Sequence, residues 1–218
     1  MATRDKLARY APNLLTPPQA FLDEKLKLFN MSSENFQKLD PLIICQLRQG
    51  VVVRPSMIKP KLIDIVSHQS VVNPGTIDEL KELAGVPNRA FATAPKQVPV
   101  QYGIESREIA ALPSPISIPR LAPQAKQTFW QASHNILRGP TDPKMLASPG
   151  YKQVAAAMLK LARNIPVFLA PDLIVCDKDV VTFSGFGALY FNNVLVYGSG
   201  QIVLGRNTTL HAYQIKRV

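Results

Sequence analysis

The last fifth of the chain contains a near-repeat that restricts its fold more than any other feature. Residues 172–193 and 194–215 are two consecutive stretches of 22 residues with similar patterns of apolar side chains. The equivalent pairs are Leu173 and Leu195, Ile174 and Val196, Val180 and Ile202, and Val181 and Val203. Each stretch holds three short apolar runs, as is typical of β-solenoid coils that bury their apolar faces against one another. The repeat predicts a small all-β domain at residues 165–218.

Glycine and asparagine residues separate the apolar runs. They are Gly185, Gly187, Gly198, Gly200, Gly205, Asn192, Asn193 and Asn207. Both residue types adopt a positive φ at low cost, so we expect the corners of the domain at these positions. Short strands joined by turns at this spacing also describe an antiparallel jelly roll. The pattern therefore leaves both a short β-solenoid and a jelly-roll-like fold open, and two coils alone would need a cover.

The chain before residue 165 shows mainly helical periodicity, which makes the predicted fold class α+β. Helices are expected at residues 19–29, 32–39, 41–47, 76–85, 124–137 and 153–163. Thr76 and Glu79 form a capping-box pattern at the start of one of them. Val51–Val53 fits a short strand, and residues 61–68 fit a strand or a helix equally well.

Prolines divide the chain further. Six prolines lie between residues 95 and 123, where they disfavour both helix interiors and central strands. We expect an extended strap there. The predicted organisation is a mainly helical region with an N-terminal arm at 1–94, the strap at 95–123, a basic helical pair at 124–164 and the β domain at 165–218.

The net charge of +10 is concentrated in the middle of the chain. Residues 116–163 carry seven basic side chains, and their only acidic residue is Asp142. Candidate contacts to nucleic acid or another anionic partner are Arg120, Lys126, Arg138, Lys144 and Lys152. Aromatic residues, including Trp130, lie between these cations. A solvated surface that keeps the protein in solution is the alternative interpretation.

No local pattern of residues indicates catalysis, a metal or a cofactor. His68, His134 and His211 lack metal-ligand spacing, and no glycine-rich loop is followed by a helix that could hold phosphate. Cys45 and Cys176 lie in apolar runs, and we expect them to behave as small buried hydrophobes rather than as a disulfide. Asp177 and Asp179 fit a turn better than a carboxylate pair. An enzyme remains open, because a site built from distant residues leaves no local motif.

The β domain also offers a candidate site for a glycan or another polar ligand. Its predicted residues are Tyr190, Tyr197, Tyr213 and Asn193. The same tyrosines are ordinary strand residues, so the pattern does not decide between the two roles.

The leading functional hypothesis is a non-catalytic structural or assembly subunit that forms homo-oligomers through its β domain and extended segments. A glycan-binding module and a nucleic-acid-binding protein are the alternatives. No stretch approaches the roughly 18 apolar residues of a membrane span, and a cytoplasmic location is expected.

Overall fold

The computed structural model describes residues 11–45, 50–55, 68–88, 102–140 and 142–218. They belong to two compact units. The first, called the β unit, combines residues 1–72 with 164–218, and the second, called the helical unit, spans residues 73–163. This division differs from the predicted linear one, because strands near residues 42–53 pair with strands near the C-terminus. The chain is an α+β protein with parallel sheets.

Two sheets form the β unit. Its strands are β1 (Leu42–Ile44), β2 (Val51–Val53), β3 (Gln69–Val72), β4 (Ile165–Val175), β5 (Val180–Phe183), β6 (Ala188–Val196), β7 (Gln201–Leu204) and β8 (Thr209–Arg217). The first sheet has the order β1-β4-β6-β8, all parallel, with β3 antiparallel to the first half of β4. The second sheet has the order β2-β5-β7, also parallel.

The strands are stacked with a register of 21 residues, not 22. Leu173 pairs with Val194, and Val181 pairs with Ile202. The predicted pairs are therefore wrong by one residue, although the predicted apolar runs lie in strands. Both faces of β6 are buried along nearly its whole length, so hydrophobicity alone does not reveal which face a residue occupies. A slip of one residue moves every side chain to the other face of a sheet.

Residues 42–44 form strand β1, so the predicted helix at 41–47 is wrong for this part. Leu42–Ile44 pairs in parallel with Leu173–Val175. The β-branched isoleucines suit a pleated, buried surface, and tertiary pairing outweighs the weak helical periodicity here. Val51–Val53 forms β2 as predicted. Residues 61–67 lie outside the described residues.

The inward side chains form an aromatic-rich core. The Phe168 ring lies 5.5 Å from Phe183, 5.7 Å from Phe186 and 5.9 Å from Phe191, measured between centroids. Ala170 and Leu173 both belong to this core although they are three residues apart. The alternation of β4 therefore changes phase between them, which is the expected mark of a corner within the long strand.

Several corners lie where the sequence predicts them. Gly185, Gly198 and Asn207 have φ values of 85°, 53° and 61°. A Cβ on Gly198 would collide with the carboxylate of Asp177, so the close approach also favours glycine. Asn192 and Asn193 lie within β6, between the inward side chains of Phe191 and Val194, so the alternation of β6 changes phase there as it does in β4. They mark a corner as predicted, although neither has a positive φ.

Helix α1 (Gln19–Leu28) and helix α2 (Ser33–Gln37) bury their apolar side chains on the outer face of the first sheet. The Tyr190 ring contacts Phe29, which directly follows α1, and Phe36 of α2, at centroid distances of 5.4 and 5.5 Å. Ahead of α1, Leu14 packs against Ile174 and Leu195. The segment 11–18, called the N-terminal strap, and these two helices thus cover one sheet face.

The helical unit has a separate core. Its helices are α3 (Ile77–Leu83), α4 (Ser106–Ala110), α5 (Pro123–Arg138), α6 (Pro143–Ala147) and α7 (Pro149–Leu161). Phe129 and Ile136 of α5 and Val154 of α7 are fully buried there. Thr76 caps α3 as predicted, since its Oγ1 accepts a hydrogen bond from Glu79 N at 3.2 Å. Helix α4 lies within the predicted strap, of which residues 95–101 lie outside the described residues.

Candidate functional site

The surface formed by β7 and β8, called the C-terminal end of the β unit, is the candidate site. Strand β7 pairs with β5 alone and β8 with β6 alone among the described strands, so each has an unpaired edge. The large apolar side chains exposed on or next to these strands are Val203, Leu204, Tyr213, Ile215 and Val218. Unpaired edges with exposed apolar side chains are places where another chain can add.

Two inward columns of the core end at this surface. Leu42, Leu173, Val194 and Ile215 are stacked in register across the first sheet. The first three are buried, but Ile215 is 63% exposed. In the second sheet Val53 and Phe183 are buried, whereas Leu204 in the same column is 39% exposed. Ile215 and Leu204 are thus core positions without a cover.

Basic side chains lie beside these apolar positions. Arg217 donates hydrogen bonds from Nη1 to the Gly198 carbonyl at 3.0 Å and from Nη2 to the Gly200 carbonyl at 3.4 Å. Lys216 Nζ donates to Asn13 Oδ1 of the N-terminal strap at 2.8 Å. The end of the β unit is therefore both apolar and positively charged.

Cys45 and Cys176 form a disulfide, so the prediction that they are separate hydrophobes is wrong. Each cysteine directly follows a strand of the parallel pair β1 and β4, and their Cα atoms are 4.9 Å apart. Neighbouring strands in a sheet are about 4.8 Å apart, and disulfides join Cα atoms roughly 4.4–6.8 Å apart. The register thus brings the two residues to bonding distance, and Cys176 has no thiol that could act as a nucleophile.

The residues predicted to bind a glycan are not brought together on one exposed surface. Tyr190 is fully buried, and Asn193 is 2% exposed. Tyr197 is half-buried and accepts a hydrogen bond from Asn13 Nδ2 at 3.3 Å. Tyr213 is exposed and contacts the Phe21 ring at 5.1 Å. Residues of the N-terminal strap contact Tyr197 and Asn193. Residues of α1, of α2 and directly after α1 contact Tyr190 and Tyr213.

Asn193 holds the N-terminal strap in place. Its Oδ1 accepts a hydrogen bond from Leu15 N at 3.0 Å, and its Nδ2 donates to Leu15 O at 3.0 Å and to Asp172 Oδ1 at 2.6 Å. Burial raises the pKa of Asp172 above its usual value, while the hydrogen bonds with Asn193 act in the opposite direction. Sequence reasoning missed this structural role, because it depends on a partner 178 residues away.

Asp177 and Asp179 have separate environments. Asp177 is at an exposed corner, where its Oδ1 accepts hydrogen bonds from Ser199 N and Ser199 Oγ, both at 2.8 Å. Both hydrogen bonds lower the pKa of Asp177, and the bond from the Ser199 backbone has the larger effect. Asp179 is buried. The arrangement is that of a corner stabilised by side-chain hydrogen bonds.

The histidines are also separate. His68 is buried, and its ring stacks on the Phe168 ring at a centroid distance of 5.5 Å. Its Nε2 lies 2.7 Å from the Asp40 carbonyl oxygen. His211 contacts Phe29, and His134 contacts Tyr102. Within the described parts of the chain, no group of three or more His, Cys, Asp or Glu side chains could hold a metal ion.

The five predicted anion-binding residues all lie in the helical unit. Arg120, Arg138, Lys144 and Lys152 are exposed, and Lys126 is half-buried. Lys126 and Arg138 lie on α5, Lys144 on α6, Lys152 on α7 and Arg120 in a short 3₁₀ helix, Ile118–Arg120. The charge is therefore spread over several elements.

Comparison with protein-family models, curated proteins and solved structures finds no match to this chain. Among the helices that the structure describes, none has the length and apolar composition needed to cross a membrane.

Proposed function

We propose that this protein is a structural subunit that associates with a second copy of itself through the C-terminal end of the β unit. The observation that carries this proposal is the exposure of Ile215 and Leu204, which occupy core columns but have no strand stacked on their outer side in the part of the chain that the structure describes. Covering them with an identical end would bury apolar surface and pair the free edges of β7 and β8.

The β unit is interpreted as a short β-solenoid. Support comes from parallel ladders that keep one 21-residue register from β4 to β6 to β8 and from β5 to β7. A jelly roll would join neighbouring strands in antiparallel order. Coils of a solenoid contact only their neighbours, so a terminal coil exposes its core unless something covers it.

A partner that presents the same end is favoured over a head-to-tail chain of subunits. At the opposite end of the columns, Leu42 and Val53 are buried, with exposures of 4% and 2%. Among the described residues of the β unit, these columns therefore expose core positions at one end and not at the other. An interface that uses one surface on both subunits has two-fold symmetry and closes at the dimer.

The charge at this end predicts the salt dependence of the association. Arg206, Lys216 and Arg217 would be near their copies in such a dimer. Repulsion between like charges is screened by salt, and apolar burial is not weakened by it. We expect a dimer that becomes tighter as the salt concentration rises.

Sedimentation velocity over a series of protein concentrations tests the proposal. Ile215→Lys introduces a charge into the exposed end of a core column and should raise the dimer dissociation constant by about tenfold or more, which is roughly 1.4 kcal/mol. Leu161→Lys is the matched control, because Leu161 is 56% exposed on α7 in the helical unit. The control variant should dimerise like the unmodified chain.

A chain that stays monomeric at every concentration and salt would contradict the proposal. A dimer that Leu161→Lys weakens as much as Ile215→Lys would also contradict it, because the contact would then not depend on the end of the β unit.

The predicted cytoplasmic location stays a prediction, and the disulfide between Cys45 and Cys176 argues against it. Disulfides form and persist mainly in oxidising compartments. Alkylation of the protein in its source cells, followed by mass measurement, would decide. Two unmodified cysteines in the protein support an oxidising compartment, and two alkylated thiols support the cytoplasm.

A further inference from the structure

Three ring side chains lie next to one another on the surface of the helical unit. Trp130 is 54% exposed on α5, and His134 follows it one helical turn later. The ring of Tyr102, which is 47% exposed, contacts the His134 ring at 5.1 Å with an interplanar angle of 75°. We call Tyr102, Trp130 and His134 the ring cluster.

The ring cluster is held in a fixed position. Asn135 is buried, its Oδ1 accepts a hydrogen bond from Tyr102 N, and its Nδ2 donates to Tyr102 O, both at 2.8 Å. The side chain thus binds the Tyr102 backbone as a neighbouring strand would. The buried ring of Phe129 packs against the Trp130 ring at a centroid distance of 5.1 Å. Rings that are already ordered lose little entropy when a ligand stacks on them.

Cations extend the ring cluster at both ends along α5. Lys126 precedes Trp130 by one helical turn, and Arg138 follows His134 by one turn. The described ion pairs involve neither side chain. Helices α5 and α7 carry no acidic residue at all. Cations without carboxylate partners attract a polyanion from solution.

A membrane surface is a poorer match for these residues. An interfacial helix inserts a broad apolar face into the bilayer. On α5 the apolar face consists of Phe129, Ala132 and Ile136, which are all fully buried in the helical unit. The exposed rings of Trp130 and Tyr102 and the neighbouring cations remain for a ligand.

We propose that the ring cluster, with Lys126 and Arg138, is a binding site for single-stranded nucleic acid. Unpaired bases stack on Trp130 and Tyr102, and the phosphates contact the two cations. Stacking on aromatic side chains combined with a basic track is the usual way in which proteins bind single strands without sequence preference. A duplex fits less well, because its bases are already stacked.

Trp130 makes the test direct, because it is the single tryptophan of the chain. Titration of the full chain with an oligothymidylate of fifteen or so nucleotides, a length within the range of known single-strand sites, should quench the Trp130 fluorescence. The affinity should fall as salt rises, since counterions are released from the phosphates. This salt response is opposite to the one expected for the dimer.

Three variants assign the contacts. Lys126→Gln with Arg138→Gln should weaken binding and reduce the slope of log affinity against log salt by about 1.4, which is roughly 0.7 for each lost phosphate contact. Tyr102→Ala should weaken binding about fivefold to a hundredfold through lost stacking. Arg54→Gln removes an exposed charge from the β unit and is the matched control, with unchanged affinity and slope expected. Circular dichroism of each variant verifies folding.

Several results would overturn the proposal. Absence of quenching by the oligonucleotide at low salt would do so, as would binding that Tyr102→Ala leaves unchanged in a folded variant. Equal or tighter binding of poly-glutamate, of an acidic polysaccharide or of anionic vesicles would assign the surface to that class of partner instead. Preference for duplex over single strands would exclude base stacking on Trp130.

Discussion

At the scale of single residues, Asn193 connects three parts of the β unit. It joins β6 to the Leu15 backbone of the N-terminal strap and to Asp172 of β4. Asn193→Ala would leave buried polar groups without partners and should lower the free energy of unfolding by about 1–3 kcal/mol. Urea unfolding measures this change.

The neighbouring Asn192 provides the control for that substitution. Its described contact is a long hydrogen bond of 3.4 Å from Tyr190 Oη to its Oδ1. Asn192→Ala should therefore cost much less than Asn193→Ala. Equal effects of the two substitutions would show that the strap contact of Asn193 contributes nothing specific.

Asp172 gives the stability a pH dependence of predictable sign. Because burial raises the pKa of Asp172, the folded state keeps the proton of this carboxyl group at a pH where the unfolded state has released it. The contribution of Asp172 to the free energy of unfolding is therefore favourable in acid and is lost as the pH rises above the ordinary carboxyl value. We expect Asp172→Asn to flatten this decline in the unfolding free energy from about pH 4 upwards.

Asp177 should behave in the opposite way and serves as the comparison. Hydrogen bonds from Ser199 lower the pKa of Asp177, so its contribution is present above the ordinary carboxyl value and is lost as the pH falls through the lowered one. Asp177→Asn should thus flatten the acid side of the profile. Identical pH profiles for the two variants would contradict the assignment of both groups.

At the scale of elements, the disulfide fastens β1 to β4. It joins Cys45 and Cys176, which are 131 residues apart, so it closes a long loop in the unfolded chain. Cross-links of this kind stabilise by about 2–4 kcal/mol. The double variant Cys45→Ala, Cys176→Ala should lose roughly that much in chemical unfolding.

A reductant distinguishes the disulfide from simple packing of the two residues. Dithiothreitol should lower the unfolding midpoint of the unmodified chain and leave the double variant unchanged. If the reductant has no effect on the unmodified chain, the stability does not depend on this bond.

The elements also show which structural signals the sequence contains. The tetrapeptides Leu42–Cys45 and Leu173–Cys176 read LIIC and LIVC, and a valine-rich run follows each of them. This similarity predicts equivalent strands in neighbouring coils, whereas the apolar spacing at 41–47 also fits a helix and favours the wrong structure there. The sequence pattern does not show the 21-residue register for a different reason. Strands buried on both faces do not show which side chains point inward.

At the scale of the whole molecule, the two ends of the β unit are expected to differ in association. Val52 of β2 is 50% exposed, about as much as Ile215, but it lies at the other edge of the sheets. In a closed dimer Val52→Lys should leave the dissociation constant unchanged, whereas Ile215→Lys raises it. Sedimentation velocity of both variants measures this.

Mixing the two variants separates a dimer from an open chain of subunits. In a head-to-tail assembly each variant keeps one intact end, and the mixture would form heterodimers that neither variant forms alone. That outcome would contradict two-fold symmetry while keeping self-association. In the closed dimer, by contrast, Val52→Lys dimerises alone and the Ile215→Lys variant stays largely monomeric.

Features that depend on neighbouring residues follow from the amino-acid sequence alone. The helices near residues 19–28, 77–83, 123–138 and 149–161 follow from apolar spacing and good helix formers. Corners at Gly185, Gly198 and Asn207 follow from the low cost of a positive φ. The basic character of residues 116–163 is a matter of composition.

The tertiary fold sets how distant segments combine. It places β1 beside β4 and β2 beside β5, and it brings Cys45 to Cys176. It also buries Tyr190 and Asn193 beneath α1, α2 and the N-terminal strap. It places Tyr102 against His134 through Asn135 and leaves Ile215 uncovered at the end of a core column. These outcomes depend on burial and pairing between residues far apart in the chain, which local periodicity does not contain.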